Sequence, residues 1–133
     1  MGMDNDPKPY DIKDRVFLFA CATVSAFPKS HLNTPSLRIW SQLISAATSS
    51  GAHLEEAAAG GSRAHFLSLT RGGLREMREA NYWLRVMVAT KLIGHSGVSH
   101  LVSESSELKA ILTTIVKNTV KNSKKTSRDD KAP

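Results

Sequence analysis

A glycine pair, Gly60-Gly61, separates two long stretches of helical periodicity and narrows the folds open to this chain more than any other feature. Ser62 follows at once, and its hydroxyl can accept a hydrogen bond from an otherwise orphaned backbone N–H of the next helix. The spacing therefore predicts one helix ending near Ala59 and another beginning at Arg63. So short a connection cannot carry the chain far, and the two helices are expected side by side and antiparallel.

Placed at about 100° per residue, the helix after the break divides into two faces. Phe66, Leu69, Gly73, Leu74, Met77, Ala80, Leu84 and Val88 fall on one arc, while Arg71, Arg75, Arg78, Tyr82 and Arg85 form a narrow stripe opposite. Guanidinium forks match phosphate oxygens and an aromatic ring offers a stacking surface, so the stripe has the chemistry of a nucleic-acid contact. Two plainer readings compete with it. The stripe is a solvated face with Glu76 and Glu79 as local partners, or it meets carboxylates of a neighbouring subunit.

The remaining helices are read from punctuation and period. Asp11 is a candidate N-cap for a first helix carrying Ile12, Val16, Phe19, Ala20, Val24 and Phe27, which ends before Pro28. Thr34-Pro35 pairs a capping residue with proline in the first turn and opens a second helix whose middle, Ala46 to Ala52, is built of small residues. Those residues, with Gly72-Gly73 on the third helix, predict one close helix crossing. Gly94 is the expected C-cap of the third helix, and a fourth begins between Val98 and Ser106 with Leu108, Ile111, Leu112, Ile115 and Val116 on its apolar side. A short separate turn over Val98 to Val102 is the alternative start. The fold class is all-α, an up-down-up-down four-helix bundle over residues 11–120, with a disordered leader at 1–10 and a basic disordered tail at 121–133.

A chain of 133 residues can bury one core without metal or disulfide support. Cys21 is the single cysteine and is expected as a small buried filler, which fits a reducing, cytoplasmic setting. No apolar run reaches membrane-spanning length and no signal-peptide pattern opens the chain. The net charge of +6 is concentrated: residues 61–91 hold six basic and two acidic side chains, and residues 117–133 repeat that balance. A localised basic surface attracts polyanions without specifying sequence.

Quoted in order, Gln42-Leu43, Thr48-Ser49, Gly51-Ala52, Glu55-Glu56-Ala57, Ser62-Arg63, Phe66, Leu74, Arg75-Glu76, Arg78-Glu79 and Tyr82-Trp83-Leu84-Arg85 resemble the four-helix-bundle family related to the 23S rRNA-intervening-sequence protein. Asp11-Ile12-Lys13 with Arg15, Phe17 and Phe19 looks like that family's opening helix. The family is similar in fold to the accessory variability protein of diversity-generating retroelements. The resemblance implies a bacterial, ring-like homo-oligomer, a pentamer, without known catalysis. The chain departs from the pattern at Ala46-Ala47, at His65 and at Gly72-Gly73.

Catalytic and metal motifs fail on spacing. Glu55, Glu56, Glu76 and Glu79 lack the Glu-x-x-His pairs of di-iron bundles, since His53 precedes Glu56 in the reverse order. Gly94-His95-Ser96-Gly97 is too short for a nucleophile elbow, and Ser106-Glu107-Leu108-Lys109 has none of the companions of a serine–lysine site. No enzyme activity, cofactor or metal is expected. The expected contacts to RNA or DNA are Arg71, Arg75, Arg78, Tyr82, Arg85, Lys121, Lys124 and Lys125. Glu55, Glu56, Trp83 and Met87 are the expected subunit interface, with Glu55 and Glu56 facing Arg75, Arg78 or a neighbour's arginine. The competing reading is a protein-interaction scaffold, for instance an accessory to a reverse transcriptase, with the arginines consumed in subunit contacts.

Overall fold

Three of the helices open on a short polar side chain that takes up an orphan backbone N–H. Lys13 N donates to Asp11 Oδ1 at 3.1 Å at the start of α1 (Ile12–Ser25). Ser36 N donates to Asn33 Oδ1 at 2.9 Å ahead of α2 (Thr34–Ala58), and His65 N to Ser62 Oγ at 3.0 Å ahead of α3 (Arg63–Thr90). The fourth helix, α4, spans Ser99–Lys131. These bounds come from a computed structural model that describes residues 11–29, 32–92 and 95–131, with side chains as far as Lys125. The leader expected at 1–10 lies outside the described residues, as does Gly94.

Four helices and no strand make up the regular structure of the described residues. The α2–α3 contact is the broadest, followed by α3–α4, α1–α2 and a narrow α1–α4 contact, and the two diagonal pairs stay apart. This is a bundle in which each helix touches its two neighbours. Gly60 and Gly61 make the α2–α3 connection at φ +110° and +120°, backbone that residues with a Cβ rarely adopt.

The core is filled by Val16 and Phe19 from α1, Trp40 and Leu43 from α2, Met77 and Leu84 from α3, and Leu108 and Leu112 from α4. Each large apolar side chain enclosed in this way contributes about 1.5–3 kcal/mol, most of which offsets the chain entropy lost on folding. At the α2–α3 crossing the small residues do meet. Ser50 Oγ donates to the Gly73 carbonyl at 2.7 Å, and a Cβ on Gly72 would stand 2.5 Å from His53 Cδ2.

Several expectations are corrected. The cap of α2 is Asn33 rather than Thr34, because Asn33 supplies the side-chain acceptor and leaves Thr34 and Pro35 inside the first turn. The C-cap of α3 is Lys91 rather than Gly94, in left-handed conformation at φ 52° and ψ 42°, and Leu92 N then donates to the Met87 carbonyl at 3.3 Å. The alternative of a separate turn over Val98 to Val102 falls away, and α4 begins at Ser99, within the expected span from Val98 to Ser106. It also runs past residue 120, so that 121–131, expected as a disordered tail, is helical. The apolar pattern does fade there, but Lys and Arg are good helix formers, and Arg63 Nη1 donates to the Asn122 carbonyl at 3.3 Å. Cys21 is exposed rather than a buried filler, because α1 is apolar on more than its core side: Phe17, Leu18 and Val24 are exposed too.

Candidate nucleic-acid interface

Arg71, Arg75, Arg78, Tyr82 and Arg85 recur along α3 at intervals of three or four, so an unbroken helix carries them as a single exposed row. No ion pair within the described residues involves any of the four arginines. Glu76 and Glu79, their expected partners, are occupied differently. Burial, then a hydrogen bond shared with Glu79, holds the Glu76 carboxyl above its ordinary pKa, with Arg75 and His53 pulling the other way. Glu79 Oε1 accepts from Trp83 Nε1 at 3.4 Å.

Two of the arginines border a groove that sequence reading did not anticipate. Arg78 and Arg85 on α3 face Lys109, Ala110 and Thr113 on α4 across a shallow space of about 580 Å³, and no carboxylate among the described residues lines it. Beneath it sits Asn81, only 1% exposed although it lies on a helix of arginines. Asn81 Nδ2 donates to Ser105 Oγ at 2.9 Å and to Ser106 Oγ at 3.1 Å. Its Oδ1 accepts from Arg85 Nε at 3.0 Å and from Lys109 Nζ at 3.4 Å. The Ser105 hydroxyl proton is committed to the Val102 carbonyl at 3.0 Å, so its oxygen serves Asn81 as an acceptor, which sets the amide with its oxygen toward the two cations. The Arg85 guanidinium also lies 5.8 Å from the centre of the Tyr82 ring, and Tyr82 meets Trp83 edge-on at 5.1 Å.

Lys109 is the basic residue that sequence reading missed. Its signal was indirect: a polar Asn81 on the inner edge of α3 needs partners, and α4 supplies them. Lys121, Lys124 and Lys125 are exposed as expected, but they flank Asn122, which contacts Arg63 at the opening of α3. Arg85, by contrast, lies near the other end of that helix. The structure thus joins Arg78 and Arg85 to Lys109 and sets the three lysines beside a different part of α3.

The expected subunit residues also separate. Glu55 lies 4.0 Å from Lys13 of its own chain rather than against Arg75 or Arg78. Glu56 is exposed, and Trp83 is half-buried at the edge of the core. Met87 is fully enclosed, which corrects its assignment to a subunit contact, because it falls on the inner side of α3 beside Leu84. A different surface presents apolar area. Phe17, Cys21 and Val24 of α1 and Thr48, Gly51 and Ala52 of α2 line an open, almost wholly apolar groove of about 450 Å³, with Glu55 at its margin.

Among the described residues no cluster of His, Cys, Asp and Glu has metal-binding geometry, and no helix is long and apolar enough to cross a membrane. No protein-family model matches the chain. No curated protein matches it either. Among solved structures, it is similar to the 1.70 Å crystal structure of a protein of unknown function from the S23 ribosomal protein family of Bacteroides thetaiotaomicron, at 26% identity and a TM-score of 0.67. The similarity covers 80% of this chain and 99% of the other. A neighbour this complete supports a coarse relation to that family.

Proposed function

We propose that the protein is a non-catalytic, oligomeric four-helix bundle that binds RNA or another structured nucleic acid through backbone charge. The observation that carries this reading is the exposed row Arg71, Arg75, Arg78 and Arg85, in which none of the guanidinium groups forms an ion pair within the described residues. Lys109 widens the row onto α4, and Tyr82 adds a half-exposed ring. Cations left unmatched on one face raise the local potential and favour a polyanion over a neutral partner. The bundle is up-down-up-down on this reading: Arg63 opens α3 beside Asn122 far along α4, whereas Asn81, later in α3, meets Ser105 early in α4. The coarse relation to the S23 ribosomal protein family is consistent with such a role, although the neighbour's own function is unknown.

Assembly into a ring, as the sequence resemblance implies, draws support from the apolar groove between α1 and α2, which would be covered by another copy. That same groove supports the second reading, a scaffold that docks a different protein. One experiment separates them: particle mass in solution, combined with a titration of RNA and duplex DNA across salt concentrations. The reading expects an oligomer whose affinity falls steeply with salt. An oligomer that shifts neither nucleic acid at low salt would reject it in favour of the scaffold.

A further inference from the structure

Arg85 and Lys109 come from different helices and share a single acceptor atom, Asn81 Oδ1. Two cations on one neutral oxygen repel each other, and among the described residues no carboxylate lines the groove to relieve them. The acidic residues of α4 on the neighbouring turns, Glu104 and Glu107, are both drawn away to Arg15 of α1, at 2.7 and 2.9 Å. The arrangement also leaves binding capacity unused. Asn81 takes one N–H from each cation, so the terminal nitrogens of Arg85 and the remaining ammonium protons of Lys109 stay available. Arg78 stands on the rim, and Thr113 adjoins it on α4, its own hydroxyl donating to the Lys109 carbonyl at 2.7 Å.

We infer that the α3–α4 groove is a built seat for one phosphate group, in which Arg85, Lys109 and Arg78 contact the oxyanion and Asn81 is a positioning residue that holds the first two in register. The inference rests on the nucleic-acid reading of this face and deepens it: one phosphodiester is gripped at a defined point, while the rest of the stripe adds diffuse attraction. The buried amide separates this seat from an ordinary basic surface. A solvated lysine and arginine have no need of a common anchor, and restricting both in advance lowers the entropy lost when an anion docks. Arg85 beside Tyr82 places the seat next to a ring on which the adjoining base can stack.

The test uses the full chain and two probes. In the first arm, isotopically labelled protein is titrated with sodium phosphate, and separately with sodium chloride at equal ionic strength, while the Asn81 amide and Arg85 Nε–H signals are followed. In the second arm, a fluorescent oligouridylate is titrated at low salt. Saturable shifts with phosphate that chloride does not reproduce are expected. Lys109→Gln should weaken oligouridylate binding about tenfold, as loss of a charge-assisted contact does, with Lys109→Arg restoring most of it. Asn81→Asp sets a carboxylate beneath both cations and should abolish the phosphate shifts while helix content is kept. Should that variant not fold, the Lys109 pair decides alone. Equal shifts from chloride, or unchanged RNA affinity in Lys109→Gln, overturn the seat even where the wild type binds RNA. Phosphate-specific shifts without any RNA binding uphold the seat and reject the nucleic-acid reading.

Discussion

Ser50 on α2 gives its hydroxyl proton to the backbone carbonyl of Gly73 on α3, at 2.7 Å, in a fully buried contact. So direct a bond between one helix's side chain and another's backbone requires that nothing stand between them. A Cβ on Gly73 would lie 3.0 Å from Leu54 Cδ2 and 3.4 Å from the Ser50 carbonyl. Gly73→Val should therefore cost about 1–3 kcal/mol, overpacking exceeding what helix propensity returns. Ser50→Ala should cost about 1 kcal/mol, since one buried hydrogen bond is lost. Urea unfolding of the two variants orders them, and a Gly73→Val protein as stable as wild type would show that the helices are not held this closely.

The narrow α1–α4 contact depends on a forked ion pair. Arg15 Nη2 and Nε donate to the Glu104 carboxylate at 2.7 and 3.1 Å, and Nη2 also reaches Glu107 at 2.9 Å. These hydrogen bonds to carboxylates raise the Arg15 pKa further, so the guanidinium stays charged at any working pH. Both side chains of the main pair keep some solvent access, at 25% and 31%, which limits the contribution to about 1 kcal/mol. Glu104→Gln should lower stability by about that amount and speed hydrogen exchange in α1 before α2 or α3. Uniform acceleration across all the helices would contradict a local clamp.

Glu76 makes a pH prediction of definite sign. Its folded pKa is raised, chiefly by burial and then by the hydrogen bond with Glu79, so the folded chain binds the proton more tightly than the unfolded chain does. The resulting contribution to stability is fully present below the ordinary glutamate range and is lost as pH rises through the folded pKa. Glu76→Gln, which mimics the protonated form, should be more stable than wild type at pH 7, and the difference should vanish on acidification below that range. Denaturation midpoints of both proteins at the two pH values check this, and an advantage that persists in acid would exclude Glu76 ionisation as its source.

On the proposed nucleic-acid reading, affinity should respond to the α3 arginines without regard to sequence. Removing one phosphate contact by Arg78→Ala should flatten the dependence of log affinity on log salt by about 0.7–0.9, equally for different RNA sequences. A substitution that changed preference between sequences while leaving that slope intact would indicate contacts to bases instead.

The apolar surface of α1 offers a test of whether copies of the chain associate. Phe17 is 56% exposed and borders the α1–α2 groove, so Phe17→Glu should release single chains with unchanged helix content if copies meet there. Glu55→Ala should matter less, because its carboxylate and Lys13 are only 4.0 Å apart at a solvated margin. Light scattering on the two variants distinguishes this groove from the carboxylates as the site of assembly.

Much of the bundle was legible in local signals. Asp11 and Ser62 cap the helices they were expected to cap, and Gly60-Gly61 makes the turn, because a cap or a positive φ is a matter of a few adjacent atoms. The small residues of α2 and the Gly72-Gly73 pair announced a close crossing, since only a missing side chain permits one. The candidate site was half legible. A row at intervals of three and four is visible in any helix, so Arg78 and Arg85 were found, whereas Lys109 depends on which helix lies beside Asn81 and at what register.

The sequence by itself determined four helices, the Gly60-Gly61 break and a basic stripe on the third, because periodicity, capping and charge act over a turn or two of chain. Tertiary structure alone decided which faces were already taken. It enclosed Met87 and left Cys21 and Phe17 outside, drew Glu104 and Glu107 to Arg15, and set Lys109 against Asn81. The physical reason is that burial and pairing belong to two elements at once: a helix with apolar residues on more than one side does not declare which side its neighbours will cover.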